Sequence, residues 1–107
     1  MIVAIFGISS LTFALDESIV KIQGKVMELD FKKNVMVVNE RTFFLGPNTL
    51  FYNDKGSPIA ADRLRPKAWV YLEGTLHESG KKVIAEKIYL IPKYIHGKEK
   101  ELYPFIQ

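Results

Sequence analysis

The sequence contains no cysteine, which rules out disulfides, thiolate metal sites, cysteine nucleophiles and lipid attachment through a cysteine. It has only two histidines, His77 and His96, and a single tryptophan, Trp69. A metal centre usually needs three or four converging ligands, and neither histidine has a partner at strand spacing. Both read as solvated loop or tail residues. No glycine-rich phosphate loop and no nucleophile-elbow serine is present. Calcium and haem roles are unsupported, because there is no acidic ligand loop and no Cys-x-x-Cys-His. The charge is nearly balanced, 15 Lys and Arg against 12 Asp and Glu. A net +3 serves solubility and does not single out a nucleic-acid partner. We therefore expect no cofactor, no metal and no enzymatic activity.

The 107 residues allow one domain. Hydrophobic residues make up 48%, enough for one small core but not for a core plus a deep substrate cavity. The first fifteen residues, Met1 to Leu15, carry no charge. This run is too short to cross a bilayer, which takes about 20 residues. It fits the apolar region of a secretory signal, with Thr12-Phe13-Ala14 offering a small-residue cleavage site after Ala14. No Lys or Arg precedes Ile2, so the segment departs from the usual basic start. The alternative is a buried first strand or helix of the domain. The expected division is a signal over 1–14, a domain over 18–91 and a tail over 92–107.

The rest reads as strands. In Ser18 to Leu29, Ile22, Gly24 and Val26 share one parity and Gln23, Lys25 and Met27 the other. That is the alternation of a sheet with one wet face. Asp30 to Asn34 forms a turn, Val35 to Val38 a second strand, Asn39-Glu40 a tight connection and Arg41 to Leu45 a third strand. Gly46-Pro47-Asn48 is expected to break it, with Thr49 to Tyr52 a short extended piece. Asn53 to Pro58 is a loop, and Asp62 is a candidate cap for a single helical turn ended by Pro66. Ala68 to Leu76 and Lys82 to Leu90 form a closing hairpin around His77 to Lys81. Two strand glycines, Gly24 and Gly74, imply sharp bending or close backbone approach. The expected fold is all-β: a small five-stranded OB-like barrel with Greek-key closure, one helical turn and an aromatic C-terminal tail.

Gly24-Lys25-Val26, Leu29-Asp30, Val35 to Asn39 and Thr42-Phe43 resemble the opening of a bacterial domain family of unknown function with a small OB-like β-barrel. The later elements, Leu64 to Gly74 and Ala85 to Ile88, resemble its closing strands. The resemblance spans roughly residues 19 to 91. It departs at Pro66-Lys67-Ala68, where the family usually has a glycine-containing turn, and in the tail. It implies an exported, periplasmic or envelope-associated module, and no catalytic residues.

Barrels of this type can bind single strands by stacking bases on aromatics beside lysines. Here Phe43 and Phe44 are adjacent and must point to opposite faces, so at least one can point outward. Most of the aromatics are needed to fill or seal so small a barrel. The residues assigned to a ligand or partner surface are Trp69, Tyr71, Tyr89, Arg41 and Lys87. The tail, with Tyr94, Tyr103 and Phe105, carries too many large apolar groups for a disordered segment and reads as a docked interface. The leading expectation is a non-enzymatic binding or assembly module of the bacterial envelope, periplasmic or extracellular. Its partner would be a protein or a second copy of the chain, with no membrane span in the mature form. A cytoplasmic single-stranded nucleic-acid or polyanion binder is the alternative, and it requires the N-terminal segment to belong to the fold.

Overall fold

The computed structural model describes residues 19–106, so the expected signal segment lies outside the described residues. Five strands form a closed barrel: β1 (Ile19–Asp30), β2 (Val35–Val38), β3 (Arg41–Tyr52), β4 (Trp69–His77) and β5 (Lys82–Ile91). Their order around the barrel is β1-β2-β3-β5-β4. The β3–β5 pair is parallel and every other pair is antiparallel. The expected all-β five-stranded barrel is thus what forms. A single 3-10 turn (Ala61–Arg63) lies between β3 and β4, and a second 3-10 segment (Gly97–Leu102) lies in the tail.

β1 is long because it serves two partners. Ile19 to Lys25 pairs with β4, and Val26 to Asp30 pairs with β2. The strand bends where it changes partner. A Cβ at Gly24 would lie 2.5 Å from Asn39 Oδ1 and 2.6 Å from Val38 Cγ1, so only glycine fits without displacing them. Just beyond, Met27 is an extra residue: Val26 faces Val38 and Glu28 faces Val37. This bulge turns Met27 outward, 59% exposed, and reverses the parity so that Leu29 packs on the core. Gly74 has a similar origin. A Cβ there would sit 2.8 Å from the Ile84 carbonyl oxygen. Opposite it β5 carries its own extra residue, Glu86, since Glu73 pairs with Lys87 and Gly74 with Ala85.

The turns follow their residues. Asp30 Oδ1 accepts from the N–H groups of Lys32 (2.9 Å) and Lys33 (3.1 Å). Asn39 and Glu40, at φ 53° and 62°, make the two-residue turn whose backbone twist suits a hairpin. Lys67 stands at φ 74°, in the left-handed region that a glycine would occupy more readily. It is fixed there by its N–H donating to Val26 O at 2.7 Å.

Two local expectations need correction. Gly46-Pro47-Asn48 does not end the third strand, which runs on to Tyr52. Between Leu45 and Leu50 the chain instead bows away from β5, whose matching residues are Ala85 and Lys87. Thr49 holds the bow: its hydroxyl accepts from the Gly46 N–H (2.8 Å) and donates to the Ala85 carbonyl (2.6 Å). Asp62 is not a cap either. Ala60 holds that position without a side-chain bond, and Asp62 lies inside the turn.

The interior is filled by side chains. Val26, Met36, Val38, Phe43, Val70 and Leu72 are fully buried there, and Leu64 drops in from the connection. Burial of each such side chain contributes about 1.5–3 kcal/mol, so the packed interior is the main source of stability.

Candidate binding surface

Strand register aligns a row of side chains on the outside of the barrel. Gln23 on β1 faces Tyr71 on β4, Tyr71 faces Tyr89 on β5, and Tyr89 faces Tyr52 on β3. On one side of this row lie Lys25, Trp69 and Ile91, and on the other Lys21, Glu73 and Lys87. The sequence thus lays an aromatic stripe across three strands, with Gln23 at its end on the fourth. The alternating signs of Lys21, Glu73 and Lys87 favour their side-by-side placement. Tyr71 also donates its hydroxyl to Glu73 Oε2 at 2.9 Å.

The tail covers this stripe. Phe105 lies parallel to Tyr89, with ring centroids 4.1 Å apart and planes 3° from each other. Tyr52 stacks on Tyr89 at 4.8 Å, and Tyr103 meets Phe105 edge-on. Tyr94 packs edge-on against Trp69 at 6.4 Å, and Lys25 Nζ lies 5.5 Å from the Trp69 ring centroid. Ile95 and Ile106 are buried against Tyr71, Tyr89 and Ile91. One polar clamp fixes the tail: Gln23 Nε2 donates to Ile95 O (3.0 Å), and Ile95 N–H donates to Gln23 Oε1 (2.8 Å). The backbone N–H and carbonyl of Ile95 are therefore both satisfied by one amide side chain. At the surface Lys93 and Glu99 form a 2.8 Å ion pair.

The residues assigned to a partner surface therefore divide. Tyr71 is 1% and Tyr89 8% exposed, so neither is the exposed aromatic that the sequence suggested. The tail lies on both, and burial pushes the Tyr89 phenol above its ordinary value. Trp69 is half-buried and Lys87 exposed. Arg41 is exposed too, with its guanidinium 5.8 Å from the Phe43 ring centroid, but it starts β3 whereas Lys87 faces Leu50 near its far end. Register thus keeps Arg41 away from the others. In the tail, Tyr94 remains 45% exposed, and Tyr103 and Phe105 are half-buried.

A second surface escaped the sequence reading. Val35, Phe44 and Ile84 are paired in register across β2, β3 and β5, all half-buried and on the outer side. Phe43 points into the core and Phe44 outward, as adjacent strand residues must. Phe44 and Ile84 line a hollow of about 430 Å³, with Pro47 on its wall and Lys33 and Lys82 at its margins. Lys82 Nζ lies 4.6 Å from the Phe44 ring centroid. An adjoining hollow of about 210 Å³ shares Gly46, Pro47 and Ile84, and also includes His77 and Glu86. The bow in β3 opens this trough, and nothing in the local sequence marked that bow as more than a strand break. His77 is exposed, its Nε2 2.9 Å from the Thr75 hydroxyl, which also donates to Glu86 Oε2 at 3.2 Å. Among the described residues no three His, Asp or Glu side chains gather as a metal site would require. No helix there is long and apolar enough to cross a membrane.

The molecule is thus a small closed β-barrel with one outer face sealed by its own tail and, among the described residues, a trough on another. No protein-family model matches the chain, and no curated protein does. Among solved structures it is similar to the fimbrial biogenesis protein PilY2 from Pseudomonas aeruginosa, with a TM-score of 0.53 and 21% identity. The match covers 80% of this chain and 97% of that one. At this identity the likeness is one of fold.

Proposed function

We propose that this chain is a non-enzymatic, exported OB-like barrel module that binds or assembles other components in the bacterial cell envelope, in the periplasm or outside the cell. The observation that carries the reading is the similarity of fold, over 80% of this chain and 97% of the other, to a protein of fimbrial biogenesis. Two features of the chain support it. The barrel interior is packed with side chains, so contacts with another molecule must be made on the outside. The uncharged run from Met1 to Leu15 has the character of a secretory signal.

The test is to express the full chain with its upstream codons and to measure the mass and the cell fraction of the mature protein. A mass that corresponds to a start at Leu15, found in the periplasm or medium, is the expected result. An intact N-terminus in the cytoplasm would overturn the export reading and make binding of single-stranded nucleic acid the next measurement.

A further inference from the structure

We propose that the trough over β3 and β5 binds an acidic, extended segment of a partner protein and seats one of its large apolar side chains. The floor is formed by Phe44 and Ile84, paired in register and both half-buried, with the Lys82 ammonium over the Phe44 ring. The tail, the one described segment that seals an outer face, lies on Tyr71 and Tyr89 instead. The hollow of about 430 Å³ above Phe44 has room for a leucine or phenylalanine side chain. It continues past Pro47 into the adjoining hollow, as a site for more than one residue of an extended chain would.

Charge selects the partner. Lys33 from the β1–β2 turn and Lys82 from the start of β5 stand on the margins of the larger hollow, which among the described residues no carboxylate lines, while Glu86 lines the smaller one. Lys32 and Lys81, their neighbours in the chain, are exposed in the same two turns. Asp30 flanks the row opposite Val35, but its Oδ1 already accepts two backbone N–H groups. The Lys82 ammonium rests over the Phe44 ring, so a positive charge is held directly beside the apolar seat. Acidic groups flanking a buried apolar anchor would complement this pattern.

A nucleic-acid strand fits less well. Such strands bind by stacking successive bases on a series of aromatic faces. Among the described Phe, Tyr and Trp residues, Phe44 alone lines the trough, and Lys82 lies over its ring. The rings that could form a platform, Tyr52, Tyr71, Tyr89 and Trp69, belong to the face under the tail.

This inference rests on the binding-module reading but not on export, so a cytoplasmic N-terminus would leave the following measurement intact. The full chain is titrated into three fluorescein-labelled probes followed by anisotropy: an acidic nonapeptide with a central leucine, the same peptide with alanine in its place, and an oligothymidylate of similar charge. The leucine peptide should bind, less tightly as salt is added, and the alanine peptide severalfold more weakly. Lys33→Glu combined with Lys82→Glu should weaken binding by about tenfold or more. Lys33→Glu alone, in an exposed turn, should give a smaller loss with an unchanged melting temperature. The proposal is overturned by no binding of the leucine peptide at low salt. It is equally overturned by undiminished binding to the folded variants, or by tighter binding of the oligothymidylate.

Discussion

Replacing Gln23 with glutamate isolates the clamp that holds the tail. The native amide donates to Ile95 O and accepts from Ile95 N–H, at 3.0 and 2.8 Å. A carboxylate of the same shape can still accept from the N–H. Its second oxygen would face the Ile95 carbonyl with no proton between them. Ile95 is fully buried, so its carbonyl loses its donor where water does not replace it. One lost hydrogen bond and one orphaned buried acceptor cost together about 2–3 kcal/mol at neutral pH. For a domain of this size that is a fall in Tm of roughly 10–20 °C if the tail and barrel unfold together. If the tail undocks first, Trp69 reports it. It is the only tryptophan in the chain and packs against Tyr94, so its emission should shift red before the barrel melts. The pH dependence has a definite sign. Once protonated, the introduced carboxyl can donate to the carbonyl, so the docked state favours the protonated form and raises this group above its ordinary value. The deficit relative to the native protein is therefore full above that raised value and shrinks as pH falls through it. Thermal melts and Trp69 emission of both proteins at pH 8 and pH 4.5 decide the matter. A Gln23→Glu variant that matches the native protein at pH 8, or one whose deficit is the same at both pH values, would refute the clamp.

Two further outcomes follow from the packing. Gly74→Ala should lower stability by about 1–3 kcal/mol in urea titration, since its Cβ would meet the backbone of Ile84 at 2.8 Å. Gly97→Ala, with nothing within 4 Å, is the control and should change stability by less than about 0.5 kcal/mol. The phenol of Tyr89 is raised by burial, so its contribution is whole below the ordinary tyrosine value of about 10 and is lost as pH rises through the raised one. Tyr89→Phe should make the alkaline loss of stability shallower above about pH 10. An equally steep loss in both proteins would show that the ring is not desolvated by the tail.

Local rules determined much of this chain. Alternation of polar and apolar residues marked β1 and β4, because one barrel face is dry and the other is not, and turn residues bounded β2 and β5, all to within a residue or two. Asp30 marked a turn through its short acceptor side chain, and Gly24 and Gly74 marked places where a Cβ would strike the side chains of Val38 and Asn39 or the backbone of Ile84. The adjacency of Phe43 and Phe44 was enough to send one ring in and the other out. The tertiary structure decided the rest. Met27 and Glu86 read as ordinary strand residues, and only their pairing makes them bulges that reverse parity. Gly46-Pro47-Asn48 has the composition of a break, yet the closed barrel carries the strand through it and the Thr49 hydroxyl secures the bow. Tyr71 and Tyr89 have outward parity, which in a bare sheet would expose them. Whether they meet water depends on a tail that reaches Gln23 from 72 positions away. Between bulges the pattern along a strand fixes which side a residue faces, but long-range contact alone decides what lies on that side.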